Sequence, residues 1–255
     1  MQLDRRRFVN LTAASVATGL VSVTGINAAE TSPRIKAIAF DGLVIFDARP
    51  VAALTEELFP GRGSEFSNAW KNRQFEYTWL RTLMGHYADF WEVTAEALTF
   101  AATLLGLDLT AQKRDRLMGA FLALKAWPDV LPTLTALKTA GIRMALLTDF
   151  SAAMIDANIR SAGLEGLFGD HLSTDRVRVF KPDPRAYQMG IDSLALRREE
   201  VVFAAFGGWD AAGAKRFGYP TFWCNRLNLP TEQLGVVPDR IGSSTIDLAA
   251  FVKTL

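Results

Sequence analysis

Four short apolar segments, each followed by polar or small residues, stand out along the chain from residue 35 onward. They cover residues 35–40, 144–147, 177–180 and 201–206. Apolar segments of this length are typical of buried strands, and the spacing between the later ones leaves room for helices. Strands that alternate with helices form parallel sheets. The pattern therefore predicts an α/β fold built on a parallel sheet.

A long helical segment interrupts this alternation after the first strand. Apolar residues recur at helical spacing over four stretches, residues 52–58, 66–84, 90–105 and 110–124. Residues 129–140 then predict the next helix of the sheet domain, with Gly141 in a suitable C-terminal capping position. We therefore predict a discontinuous core domain, residues 33–49 and 125–255, and an inserted α-helical cap domain, residues 50–124.

A carboxylate stands at the end of the first predicted strand, where Asp41 precedes a glycine. Reacting groups gather at the carboxyl ends of strands in open α/β sheets. Aspartate before glycine is also ordinary turn chemistry, so Asp41 could simply cap a turn. The later predicted strands lead into Thr148 and Asp149, into Lys181, and towards Asp210. Four strand ends can thus converge on one site, which makes Asp41 a candidate nucleophile.

The order of these residues resembles the haloacid dehalogenase superfamily, and the similarity extends over nearly the whole chain after residue 34. Within that superfamily, the sequence of residues 70–81, WKNRQFEYTWLR, closely follows the cap-helix signature of the type II 2-haloacid dehalogenases. The resemblance implies a Rossmann-like core with a helical cap. It also implies hydrolysis of a small 2-haloacid through an ester on Asp41, without a metal or a cofactor.

The resemblance further implies a role for each site residue. Asp41 is the nucleophile, Lys181 is the cation that positions it, and Asp210 lies near the water that hydrolyses the ester. Other residues are implied to bind the substrate or the halide: Lys71, Thr148, Asp149, Tyr187 and Trp209. A surface lysine is the alternative for Lys181, and a core or interface aromatic is the alternative for Tyr187.

Several positions depart from the family pattern. The consecutive Gly-Thr pair that usually occurs in the loop after the nucleophile is missing, and that loop is one residue short. Lys71 stands in place of an arginine, whose planar fork an ammonium does not reproduce. Asp149 replaces an asparagine that donates to the halide, and a carboxylate repels a halide unless it is protonated or paired with Lys71. Ala205 and Gly207 replace a serine and an asparagine near the hydrolytic water.

Two hypotheses therefore remain open from the sequence. The first is a hydrolase of short 2-haloalkanoic acids with weak activity, and the second is a catalytically impaired protein that binds a small carboxylate. A magnesium phosphatase ranks third, because Leu43 and Phe206 occupy positions where such enzymes supply acids. His86 and His171 are the only histidines, which we place in the cap or a surface loop, so no Cys/His cluster exists to bind zinc.

Composition limits the classes of partner. The chain has 255 residues, of which 49% are hydrophobic, and its formal net charge is +1. It can bury a substantial core, and nothing in its charge suggests a nucleic-acid partner. The aromatic residues of the amphipathic cap are consistent with a homodimer. The only cysteine, Cys224, is predicted to be a buried and inert thiol on a strand.

The first 29 residues resemble an export signal. Residues 4–10, DRRRFVN, resemble a twin-arginine motif, and the mildly apolar residues 11–26 lead to Ala28 and Ala29. The apolar stretch is short for a spanning helix and contains several Thr, Ser and Gly residues, which disfavours the alternative of a membrane anchor. We expect recognition by the twin-arginine export machinery, cleavage near Ala28 or Ala29, and a periplasmic location.

Overall fold

A six-stranded parallel sheet forms the centre of the protein, whose computed structural model describes residues 35–255. Its strands lie in the order β5-β4-β1-β6-β7-β8, and every neighbouring pair is parallel. The remaining two strands, β2 and β3, pair with each other antiparallel. In chain order the strands are β1 (Ala37–Phe40), β2 (Phe46–Asp47), β3 (Lys125–Ala126), β4 (Arg143–Thr148), β5 (Asp170–Ser173), β6 (Val201–Ala205), β7 (Thr221–Cys224) and β8 (Arg240–Gly242).

Both faces of the sheet are covered. Along β1, Ile38 and Phe40 belong to one apolar cluster, and Ala37 and Ala39 belong to another. This alternation follows from the two-residue period of a strand, and burial on both faces explains why the sequence of β1 is continuously apolar. The arrangement confirms the predicted α/β class with a parallel sheet.

Helices fill the rest of the described chain. Helices α6, α7 and α10 pack on one face of the sheet, and α8 and α9 pack on the other. The helices are α1 (Gly42–Ile45), α2 (Arg49–Leu58), α3 (Gly63–Met84), α4 (Phe90–Leu104), α5 (Ala111–Ala120), α6 (Val130–Thr139), α7 (Ala152–Ala162), α8 (Pro184–Leu194), α9 (Gly208–Phe217) and α10 (Thr245–Val252). None of those within residues 35–255 is long and apolar enough to span a membrane.

The four helices predicted for the cap are present as α2 to α5. The chain leaves the sheet through β2 and returns through β3, and Phe46 pairs with Ala126 where the two segments meet. Residues 35–255 belong to one compact unit, so the proposed division into cap and core domains stays a prediction. The predicted export signal lies outside the described residues.

The predicted strand at residues 177–180 is wrong. The strand is β5, farther upstream, and it is followed by a 3₁₀ turn at Thr174–Arg176 and then irregular chain. β5 lies at an edge of the sheet, where one side is unpaired and polar residues are tolerated. The apolar signal comes instead from loop side chains such as Phe180, which is fully buried and stacks on Tyr87 with ring centroids 5.1 Å apart.

The prediction for the location of His171 is wrong, and the prediction for Cys224 is confirmed. His171 lies on β5 and not in a surface loop, with its Nδ1 3.3 Å from the Asp156 carboxylate. Cys224 lies on β7 and is fully buried, as predicted. Burial raises the pKa of its thiol to about 12, so the reactive thiolate is scarce at neutral pH.

An ion pair between Asp129 and Arg226 joins α6 to the chain after β7. Two bonds of 2.9 and 3.0 Å connect the guanidinium to the carboxylate, and the backbone N–H of Thr245 also donates to Asp129. Arg226 donates in addition to the carbonyl of Val44 in α1, the helix that follows Asp41. Burial alone would raise the pKa of Asp129, but the bonds from Arg226 and Thr245 outweigh it and lower that pKa to about 2.

We expect Asp129→Asn to lower the free energy of unfolding by about 3 kcal/mol at pH 7, because it leaves Arg226 buried without its counter-charge. The deficit should shrink as the pH falls from about 4 towards 2. A carboxyl with a lowered pKa stabilises the folded state above its unfolded pKa, and this contribution is lost as the pH falls through the folded value. Urea unfolding between pH 7 and pH 2.5 measures both effects. Asp115→Asn, at an exposed site, is the control, and an equal loss in both variants would contradict the assignment.

Candidate active site

Asp41 lies directly after β1, in the middle of the sheet, and is also the N-terminal cap of α1. Its Oδ1 accepts a hydrogen bond of 2.9 Å from the backbone N–H of Leu43. The next residue must be small, since a Cβ at Gly42 would lie only 2.9 Å from Thr148 Oγ1. The turn-capping interpretation of Asp41 is therefore correct for one carboxylate oxygen. The second oxygen, Oδ2, remains available for another partner.

That partner is the ammonium group of Lys181. Its Nζ donates to Asp41 Oδ2 at 2.6 Å and to Asp210 Oδ2 at 2.8 Å, and its side chain is 1% exposed. The surface-lysine alternative is thus wrong. The position also differs from the expected strand end, because Lys181 follows irregular chain. It is held by its backbone N–H, which donates to Asp149 Oδ1 at 3.1 Å.

Tyr187 and Asp210 form the inner wall behind this lysine. The Tyr187 hydroxyl donates to Asp210 Oδ1 at 2.7 Å, and both residues are buried. Asp210 lies in the first turn of α9, after β6. Helix α9 can approach Tyr187 because residue 213 is glycine, since a Cβ there would lie 2.5 Å from the Tyr187 hydroxyl. Tyr187 is therefore both a core aromatic and a direct partner of Asp210.

Thr148 and Asp149 come from the end of β4, the neighbour of β1. The backbone N–H of Phe150 donates to Thr148 Oγ1 at 3.3 Å, which leaves the Thr148 hydroxyl hydrogen free to donate. Asp149 is buried and receives the backbone N–H of Lys181. Both residues therefore lie close to Asp41 and Lys181, as the convergence of strand ends requires.

The Lys181 ammonium donates hydrogen bonds to two carboxyl groups, and a third, Asp149, accepts from the backbone N–H of the same residue. Burial would lower the pKa of Lys181, but the charges of Asp210, Asp41 and Asp149 raise it above its usual value, so the lysine stays charged at neutral pH. Burial, with further repulsion from Asp210 and Asp41, raises the pKa of Asp149 to about 7. Burial and the charge of Asp41 also raise the pKa of Asp210. Near neutral pH the cluster can therefore hold a proton on a carboxyl group.

The remaining predicted site residues, Trp209 and Lys71, belong to the contact between α3 and the sheet domain. Trp209 packs edge-on against Phe75 and Trp79 of α3, each with a centroid separation of 5.4 Å. Lys71 lies one turn before Phe75 on the same helix and is exposed. No ion pair within residues 35–255 joins Lys71 to Asp149, so the sequence-based possibility of such a pair is not realised.

Sequence reasoning overlooked Phe75 and Trp79 as site residues. The signal was available, because they lie four residues apart in the cap-helix signature and hence on one helix face. The indole Nε1 of Trp79 is buried without a hydrogen-bond partner in the described part of the chain. The role of Gly42 and Gly213 was also missed. A side chain is excluded at these positions by neighbours that are distant in sequence.

This arrangement suits nucleophilic displacement by a carboxylate. Asp41 is oriented at both oxygens, and Lys181 has a third N–H donor that neither Asp41 nor Asp210 uses. That donor and the Thr148 hydroxyl can bind an anionic substrate beside the nucleophile. Asp210 is close enough to the same lysine to accept a proton from water in a later step.

Comparisons with known proteins agree with this geometry. A family model of haloacid dehalogenase-like hydrolases matches residues 23–218. The chain is 43% identical over 206 residues to an (S)-2-haloacid dehalogenase of Pseudomonas sp. (strain YL), covering 80% of this chain and 89% of the relative. It is 39% identical over 207 residues to a haloacetate dehalogenase of Moraxella sp. (strain B), covering 81% and 92%.

The fold of this chain is also similar to that of a solved structure. The L-2-haloacid dehalogenase of Xanthobacter autotrophicus with chloropropionic acid covalently bound has a TM-score of 0.80 and 33% sequence identity, covering 87% of this chain and 99% of that one. The matched family model and relatives span most of the chain, and their fold is the one described above. The chain therefore belongs to the haloacid dehalogenase-like hydrolases.

Proposed function

We propose that this protein hydrolyses short (S)-2-haloalkanoic acids to 2-hydroxy acids through an ester on Asp41. The observation that carries the proposal is the buried Lys181 ammonium, bonded to Asp41 at 2.6 Å and to Asp210 at 2.8 Å. Relatives named as 2-haloacid dehalogenases support the substrate class, and the Xanthobacter autotrophicus structure supports a covalent intermediate.

In the first step, a carboxylate oxygen of Asp41 attacks C2 of the substrate. The new C–O bond forms as the carbon–halogen bond breaks, and its electron pair leaves with the halide. The leaving halide needs no proton. Lys181 and Thr148 hold the substrate carboxylate, so that C2 lies in front of the nucleophile. The product of this step is an ester between Asp41 and the 2-position of the acid.

In the second step, water attacks the carbonyl carbon of that ester. Asp210 accepts a proton from the water, and its raised pKa makes it a stronger base than an ordinary carboxylate. The bond between the Asp41 carbonyl carbon and the alkoxide oxygen then breaks as the departing alkoxide takes the proton back from Asp210, and the new Asp41 carboxyl group loses its remaining proton to solvent. This step returns Asp41 as a carboxylate and releases a 2-hydroxy acid, so the halogen is replaced by hydroxyl overall.

The halide site is where this chain differs from the family pattern, and Asp149 is the residue that limits it. Asp149 lies beside Lys181, so its ionised form would lower the positive potential that an anionic substrate and a leaving halide need. Lys71 is on the cap-helix face that contacts Trp209 and supplies a cation on that side. We therefore propose a dehalogenase that is active when Asp149 is protonated.

We also propose that the protein is exported to the periplasm by the twin-arginine machinery and acts there as a homodimer. The twin-arginine motif at residues 4–10 and the small residues before position 30 support export, and the aromatic, amphipathic cap supports a dimer. Neither proposal bears on the chemistry at Asp41.

The nucleophile is tested with Asp41→Asn and Asp210→Asn, assayed for halide release from 2-chloropropionate in the presence of EDTA. We expect Asp41→Asn to lose at least about a thousandfold in kcat, because an amide is a poor nucleophile, and still to bind the substrate. Asp210→Asn should release halide once and then accumulate the ester, which intact-protein mass spectrometry detects.

The control for this experiment is the exposed Asp115→Asn, which should keep full activity. Halide release by a folded Asp41→Asn variant would remove Asp41 from the mechanism. A wild-type protein that binds 2-chloropropionate and releases no halide would support the carboxylate-binding alternative, and activity restored only by magnesium would support a metal-dependent hydrolase.

Halide release should fall as the pH rises through about 7, because Asp149 then becomes charged beside Lys181. A group with a raised pKa is neutral below that value, so the active form is the one at lower pH. Asp149→Asn should remove this decline and raise the rate at pH 8 by about tenfold, the change that 1.4 kcal/mol produces. Steady-state rates from pH 5 to pH 9 measure both effects.

Lys71→Arg should also increase the rate, because a guanidinium offers more donors to a halide. Since no contact joins Lys71 to Asp149, the effects of the two substitutions should multiply in the double variant. If the rate of halide release still declines above pH 7 in Asp149→Asn, the decline would be due to the titration of another group.

Export is tested with the full-length chain expressed in a bacterium with a twin-arginine system. We expect the mature protein in the periplasmic fraction, with an N-terminus near residue 29 or 30. Replacing Arg5, Arg6 and Arg7 with lysine should retain it in the cytoplasm. N-terminal sequencing and cell fractionation measure the result, and a periplasmic protein with the lysine substitutions would contradict twin-arginine export.

A further inference from the structure

A cavity lies beside α8 and α9, and its walls include neither Asp41, Lys181 nor Asp210. Its volume is about 880 Å³, and its walls come from α8, α9, the loop before β6 and the loop after β7. Concave sites of roughly 300–1,000 Å³ are typical of small-molecule ligands. This volume lies within that range, and the cavity is widely open to solvent.

Three arginines line this cavity: Arg185, Arg198 and Arg216. Arg185 is paired with Asp183 at 2.8 Å, and Arg198 donates to the Phe217 carbonyl and to Gln188. The Arg216 guanidinium makes no hydrogen bond or ion pair with any residue in 35–255. It is therefore the group with the most donors available to a ligand.

No acidic side chain lines the cavity, and of its three arginines only Arg185 has a carboxylate partner, so the charges of Arg198 and Arg216 are not balanced there. Guanidinium groups bind carboxylates and phosphates through paired N–H donors in a planar fork. The lining residues thus favour an anionic group at the end of the cavity formed by α8 and α9.

Apart from Gln188, the rest of the wall consists of apolar residues and glycines. Trp209, Phe217 and Leu234 contribute to it, and the side chain of Leu234 is 58% exposed. An exposed leucine beside two aromatic side chains forms a surface that an apolar ligand body can cover. Inorganic anions would leave this part of the cavity in contact with water, so the lining favours an anion that also carries an apolar group.

We propose that this cavity is a second binding site, and that it takes an organic anion with a planar apolar body, such as an aryl carboxylate. The anionic group binds Arg216 and Arg198, whose guanidinium carbon lies 4.1 Å from the Phe217 ring centroid, and the apolar body covers Leu234. The site is separate from the nucleophile, and binding to it does not depend on dehalogenation.

The test is isothermal titration of the full-length chain, or its mature form, with 2-naphthoate. Its neutral isostere 2-naphthamide and inorganic phosphate should each bind at least about tenfold more weakly, since each lacks one of the two required features. Arg216→Gln should weaken 2-naphthoate about tenfold, and Arg216→Lys should weaken it less because the charge is kept. Leu234→Asp should also weaken the binding of 2-naphthoate, because it removes an apolar side chain from the wall of the cavity.

Arg160→Gln is the matched control. Arg160 is exposed at the end of α7, on the opposite face of the sheet, and its substitution should leave the affinity unchanged. Equal affinities for 2-naphthoate and 2-naphthamide, or an unchanged affinity in Arg216→Gln, would overturn the proposal.

A further arm separates this cavity from the catalytic site. The Asp41→Asn variant, saturated with 2-chloropropionate, should bind 2-naphthoate with the affinity of the free protein. Loss of 2-naphthoate binding under these conditions would place the probe in the catalytic site and overturn the proposal. The heat of binding is measured without turnover. This test would therefore remain valid even if the protein released no halide.

Discussion

The buried ammonium of Lys181 is the interaction on which the active site depends. Moving a lone charge out of water is strongly unfavourable, so a lysine that is 1% exposed must be matched by nearby negative charge. Asp41 and Asp210 provide it at 2.6 and 2.8 Å. The lysine in turn lets two buried carboxylates lie close together without full repulsion. Removal of Lys181 would leave two neighbouring carboxylates without a counter-charge, whereas removal of either aspartate would leave an ion pair between Lys181 and the other.

The parallel sheet supplies this arrangement through its strand order. β1 lies between β4 and β6, with Phe40 in register with Leu146 on one side and Ala204 on the other. Asp41, Asp149 and Asp210 follow these three strands, so they reach the same edge. Two hydrogen bonds hold the turn after Asp41. Trp127 Nε1 donates to the carbonyl oxygen of Leu43, and Arg226 donates to the carbonyl oxygen of Val44. The segment after Asp41 is thus an ordered helix, α1.

The altered polar shell has a steric explanation at one position. A Cβ at Gly207 would lie 2.8 Å from Nε1 of Trp209, so a larger residue there would displace the indole. Trp209 keeps its position against Phe75 and Trp79 of the cap helix, and this aromatic contact joins α3 to the start of α9. Gly207 therefore favours aromatic packing between cap and sheet where the family pattern has a polar side chain. We find no comparable explanation for Ala205.

The amino-acid sequence by itself determined the fold class, the cap helices and the candidate residues. Strands such as β1 and β6 are buried on both faces, so continuous apolar sequence identifies them, and helical periodicity identifies α3 and α4. Asp41 could be recognised because it ends such a strand. These features depend on local patterns of burial, which the order of residues records directly.

Only the tertiary structure decided which residues are partners and which apolar residues form strands. Phe180 in the segment 177–180 is buried because it packs against Tyr87 and Phe90, whereas the polar β5 is a strand because β4 offers it hydrogen bonds. The absence of a Lys71 to Asp149 pair and the raised pKa of Asp149 depend on distances between separate elements. Such distances are set by packing across the whole fold, and local sequence does not encode them.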